Sequence, residues 1–184
     1  MPVPEASAGW VRAQQIAAFK RLGPWVVAAN LMNAAFLTGA LYHSPFRLGL
    51  MIWAAVVAAL MALHVFKLIS GRGRIPAKTR SPRAIVANVR DSAVLGALWG
   101  AVPALVLNGV PAHEQTMIAV VTVGMMCGGA FALASVPQAA CGYIAAMTTG
   151  SVIALAHAGG TVGAYLIVMA LLYGALLCLC VLTS

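Results

Sequence analysis

The stretch KLISGRGRIPAKTRSPRAIVANVR, residues 67–90, is the one long polar break in an apolar chain, and its reading decides the fold. It carries seven of the eleven Lys and Arg residues: Lys67, Arg72, Arg74, Lys78, Arg80, Arg83 and Arg90. Hydrophobic runs flank it, two before and four after. Positive charge in a short loop between spans resists translocation and holds that loop on the cytoplasmic side. With the loop fixed, alternation gives every other turn a side. Ten of the eleven basic residues then lie inside and only Arg47 lies outside. The pattern predicts an all-α, six-transmembrane helix bundle with both termini cytoplasmic.

Composition leads to the same class. Of 184 residues, 62% are hydrophobic and 8% charged, against about 25% charged in a soluble domain. The net charge of +8 is explained by span orientation and by contact with anionic lipid headgroups. No recognition motif accompanies it, so nucleic acid is not an expected partner. The first apolar run is long enough to span and reads as a membrane helix, not a cleavable signal. Cys127, Cys141, Cys178 and Cys180 all sit in or beside apolar runs, where a free thiol acts as a small hydrophobe. No disulfide framework is read.

Residues 1–21 read as a frayed tail followed by a short interfacial helix, Trp10 to Arg21, with Arg12, Lys20 and Arg21 toward lipid phosphates. Residues 22–184 form the membrane domain. Span one is read at Pro24–Tyr42, with Pro24 in its first turn. Its Asn30 and Asn33 lie three apart and share a face. An amide in hydrocarbon needs a partner, so that face looks into the bundle, either as interhelical glue or as a ligand-facing pair. Span two follows the His43-Ser44-Pro45 turn and covers about Phe46–Leu68. Past the basic loop, Ser81 reads as an N-cap with Pro82 first in the helix. This helix runs on into span three, about Ser92–Asn108, where Pro103 introduces a kink. Trp99 lies near mid-depth, and its indole N–H needs an acceptor. Span four, about Thr116–Val136, contains Gly124 and Gly128, a small-xxx-small spacing that lets another helix approach. Span five is about Ala139–Ala158 and span six about Val162–Thr183.

This topology puts His43, His113 and His157 at the outer face, with Glu114 beside His113. Three imidazoles and a carboxylate are a donor set for a transition metal such as zinc or copper. Two imidazoles from facing helices would suit haem iron. The same histidines read equally as ordinary interfacial side chains. No catalytic constellation is present: the only acids are Glu5, Asp91 and Glu114, and Asp91 and Glu114 fall on opposite sides of the membrane. No span carries an acid or base at its centre, which disfavours an ion-coupled transporter.

PWVVAANLMNAAFLTG in span one, the basic second loop, ALWGAVPALVL in span three and VGMMCGGAFALASVPQAACGYIAAM across spans four and five together resemble a known family. It is the six-span N-terminal, MASE-like input modules of bacterial diguanylate cyclases with GGDEF, or GGDEF and EAL, output domains. Similar modules precede some sensor kinases. The resemblance covers about Leu22 to the end. It implies a sensory domain of the bacterial inner membrane, truncated before a cytoplasmic output domain that span six drives. It also implies a homodimer, with the Gly124/Gly128 face or span six as the interface. The chain alone would be non-catalytic. A haem-, metal- or quinone-binding redox unit is the alternative reading, and a small-solute transporter a further one.

Overall fold

A computed structural model describes residues 5–70 and 82–183. Among these the chain forms six α-helices and one 3-10 turn, with no strand. The helices are α1 (Glu5–Ala40), α2 (Arg47–Ser70), α3 (Pro82–Val106), α4 (Ala112–Leu133), α5 (Pro137–Ala158) and α6 (Gly160–Thr183). The 3-10 turn, Leu107–Gly109, follows α3. Ser81, Arg72, Arg74, Lys78 and Arg80, named above from sequence, lie outside the described residues.

Among the described residues, five segments are long and apolar enough to cross a membrane: Arg47–Ser70, Ile85–Gly109, Ala112–Leu133, Pro137–Ala158 and Gly160–Thr183. The fold is thus an all-helical bundle suited to a bilayer, in which helices alone satisfy every backbone group within one segment. The second half of α1, where a sixth span is expected, is not among the five. Two asparagines in its middle lower its apolarity.

The N-terminal expectation needs correction. The tail from Glu5, the interfacial segment and span one form a single 36-residue helix, with Pro24 inside it. Proline lacks an N–H for the ladder, and the helix nonetheless continues on both sides of it. Pro103 likewise sits inside α3, three residues before the α-helix gives way to the 3-10 turn. The link between α5 and α6 is shorter than expected. Gly159 and Gly160 adopt φ of +66° and +73°, a region open to glycine without steric cost, so one residue reverses the chain.

Packing centres on α5, which touches α3, α4 and α6, while α1 touches α2 and α4. The α3–α5 pair runs parallel and is the closest. Gly96 and Gly100 of α3 lie against the backbone of Tyr143, Ala146 and Gly150 of α5, leaving no room for a Cβ at Gly96 or Gly150. Hydrocarbon solvent gives apolar side chains no reason to leave it, so close backbone approach through small residues is what holds such helices together. The outer faces stay apolar and exposed, as in Tyr165, Met169, Leu172 and Leu176 of α6. Lipid tails cover such a surface at no cost.

Candidate functional site: a cavity at the basic-loop end

Three tryptophan and asparagine side chains pin α1, α2 and α3 together. Trp99 is 1% exposed and Asn30 3%. The Trp99 indole Nε1–H donates to Asn30 Oδ1 at 2.7 Å. Asn30 Nδ2 in turn donates to the Val26 carbonyl of its own helix, also at 2.7 Å. Trp53 of α2 packs edge-on to Trp99, with ring centroids 4.9 Å apart at 86°. The Trp53 N–H donates to the Leu98 carbonyl at 2.8 Å. A buried polar group without a partner costs about 1–3 kcal/mol, and here each finds one. Two of the three interior polar residues singled out from sequence, Asn30 and Trp99, therefore satisfy each other, while Asn33 bonds its own helix. Trp53, which closes the cluster, gave no sequence signal beyond being a tryptophan in a span.

Beside this layer and on toward the end of the bundle that bears the basic loop, α1 to α4 part around a cavity of about 650 Å³, of which Asn30 is itself a lining residue. That lies within the ~300–1,000 Å³ typical of ligand sites. Asn33, Leu60 and Gly124 line the end farther from the basic loop, and Leu22, Lys67, Asn88 and Leu133 line the basic-loop end. From Leu22 to Asn33 along α1 is about 16 Å at 1.5 Å per residue. Trp25, Leu63, Leu95 and Phe131 make apolar walls, and His64, Asp91 and Ser92 also line it.

Gly124 and Gly128 belong to this cavity. A Cβ at either would meet nothing within 4 Å. The expectation that they bring another helix close is therefore not met within the chain: no helix of the bundle closes on them, and their missing side chains leave the space open. The close-packing glycines are instead Gly96, Gly100 and Gly150. The sequence carries the Gly96/Gly100 spacing, but it is hidden within an ordinary Leu- and Ala-rich span.

The polar lining is unevenly satisfied. Lys67 Nζ lies 3.4 Å from Asp91 Oδ2, and Arg90 Nη2 lies 3.2 Å from Asp91 Oδ1. Two of the basic residues expected to face lipid therefore share the carboxylate of α3, while Arg83 is exposed. Asn33 Nδ2 donates to the Ala29 carbonyl at 2.9 Å, and no donor among the described residues meets its Oδ1. Asn88 and Ser92 make no side-chain hydrogen bond among the described residues.

The opposite end holds three of the four histidines. His43 and His157 are exposed, and the His157 ring meets its own helix at the Ile153 carbonyl, 2.8 Å away. His113 Nε2 stands 3.9 Å from Glu114 Oε1, and Glu114 Oε2 is buried without a partner. Among the described residues no three His, Cys, Asp or Glu side chains gather closely enough to hold a metal ion. The structure brings His113 and Glu114 together and leaves His43 and His157 apart from them.

A path of contacts leads from the cavity to α6. Met125 of α4 lines the cavity, and its carbonyl accepts from the Tyr143 hydroxyl of α5 at 3.1 Å. Also on α4, Cys127 Sγ meets the Tyr173 hydroxyl of α6. Thr148 of α5 packs directly on Gly174 of α6. Compared with protein-family models, with curated proteins and with solved structures, the chain matches none.

Proposed function

We propose that the chain is the membrane input domain of a signalling protein, with six spans, both termini in the cytoplasm of a bacterial cell, and the cavity as its sensing site. The observation that carries this reading is the double role of α4. One face of α4, through Gly124 and Gly128, forms a wall of the cavity. Cys127, three residues on from Gly124 and beside it on the helix surface, touches Tyr173 of α6. Filling the cavity therefore acts on the helix that leads out of the domain. A ligand shifts such an equilibrium only by its differential affinity for the two arrangements, and a gap between four helices is where two arrangements would differ most.

The sixth span in this reading is the second half of α1. Its two asparagines cost little because they are internally bonded: Asn30 to Trp99 and Val26, and Asn33 to Ala29. The output is a diguanylate cyclase-type domain following Ser184, as the family resemblance implies, and the exposed face of α6 pairs two copies. The reading frame beyond Ser184 tests this directly. A GGDEF-type domain or a signalling helix there supports the proposal, and a stop codon there overturns it.

A further inference from the structure

We infer that the cavity at the basic-loop end takes an uncharged, elongated amphiphile, with an apolar body and hydrogen-bonding groups toward its ends. The assignment rests on reading this cavity as the sensing site. Three observations carry it. The first is charge: Lys67 and Asp91, the one lysine and the one carboxylate that line the cavity, lie 3.4 Å apart at its basic-loop end. Arg90, which also holds Asp91, does not line the cavity, so the lining offers a ligand no unpaired ammonium or carboxylate. The second is the distribution of polarity. Asn33 stands at the end farther from the basic loop and Asn88 and Ser92 toward the basic-loop end, and Trp25, Leu63, Leu95 and Phe131 add apolar lining. The third is unmet bonding. Asn33 Oδ1 and the side chains of Asn88 and Ser92 have no partner among the described residues, and in an apolar surrounding even a half-buried acceptor such as Asn33 Oδ1 gains from a donor.

Size narrows the class. At roughly the ~30 Å³ that a water occupies in the liquid, about 650 Å³ holds about 20 non-hydrogen atoms. That fits a medium-chain alcohol, hydroxyketone or monoglyceride. Such a molecule has two sources, a diffusible small molecule or a neutral lipid of the bilayer itself, and both present the same chemistry to the cavity.

The test uses the purified chain in phosphatidylcholine nanodiscs and radiolabelled 1-dodecanol, with empty nanodiscs as background. A saturable component above background is expected, and it disappears in Gly128→Leu, which fills open space. Asn33→Ala weakens it about tenfold, the value of one hydrogen bond. Dodecanoate competes more weakly than dodecanol. Competition by monododecanoylglycerol supplied in the nanodisc lipid, at least as effective as unlabelled dodecanol, marks the membrane as the source; weaker competition marks a diffusible one. No saturable component, binding unchanged in Gly128→Leu, or tighter binding of dodecanoate would each overturn the inference. Binding as expected, with no effect on a downstream output, would leave this site standing and overturn the sensory reading instead.

Discussion

The Trp99 indole donates to Asn30 Oδ1 across 2.7 Å, joining α1 to α3 beside the cavity. This bond gives the buried asparagine of α1 a partner. It also ties α1 to the α3–α5 pair at the centre of the bundle.

Asn30→Ala strands the Trp99 N–H and is expected to destabilise the bundle by about 1 kcal/mol, since polar contacts in membranes have an alternative partner in the unfolded state. Trp99→Phe removes the donor and a little packing. A double-mutant cycle by denaturant unfolding in mixed micelles checks the pair: the double variant should lose less than the sum of the singles. Strict additivity would mean that the bond is not made.

Gly150→Ala forces a methyl into the Gly100 backbone. A loss of ~2 kcal/mol is expected, within the range for overpacking. Gly124→Ala adds a methyl where nothing lies within 4 Å and should leave stability unchanged. Unfolding midpoints of the two variants, compared side by side, discriminate the packing glycines from the cavity glycines. Equal effects would contradict the assignment.

Asp91→Asn breaks both ion pairs with Lys67 and Arg90. These groups are largely solvent-facing, with side-chain exposures of 69%, 75% and 49% for Lys67, Arg90 and Asp91. Such pairs contribute roughly 0–1 kcal/mol, so stability should barely move. What should change is selectivity: with Lys67 freed, dodecanoate is expected to gain on dodecanol, read by competition in the same nanodiscs.

The outer histidines stand apart from the cavity. Replacing His43, His113 and His157 together by Ala should leave dodecanol binding intact. Elemental analysis and an absorption spectrum of the native chain address metal and haem separately. Iron with a Soret band, lost in the triple variant, would restore the outer face as a cofactor site.

Topology is open to a further check. If α1 spans, an N-terminal tag and a probe at Ser70 lie on the cytoplasmic side and a probe at Tyr42 on the other. Protease protection and impermeant-thiol labelling in spheroplasts read this out. A tag accessible from outside would contradict the six-span reading.

Much of the bundle was legible because hydrophobic run length and basic-loop position are direct consequences of the bilayer. The interior polar residues Asn30, Asn33 and Trp99 were legible for a related reason, since hydrocarbon makes an unpartnered amide or indole conspicuous. That Asn30 and Trp99 would bond each other was not, because pairing depends on helix rotation and depth. Asn88 and Ser92 were passed over since polar residues near a span end are ordinary. Gly124/Gly128 and Gly96/Gly100 have the same spacing. Only the placement of α5 decides that one pair is filled by a neighbour and the other left open. The continuous α1 was missed because Pro24 and the charges before it read as a boundary, although a proline inside a helix removes only one donor.

If the chain serves as the input domain proposed above, the most direct test is cellular cyclic di-GMP, measured in Gly128→Leu and in Gly39→Leu. Gly39 has equal open space around it but lies outside the cavity. The account predicts a several-fold change in output, in either direction, for Gly128→Leu and none for Gly39→Leu. Unchanged output in both variants, with protein levels equal to the native chain, would contradict the claim that this cavity governs α6.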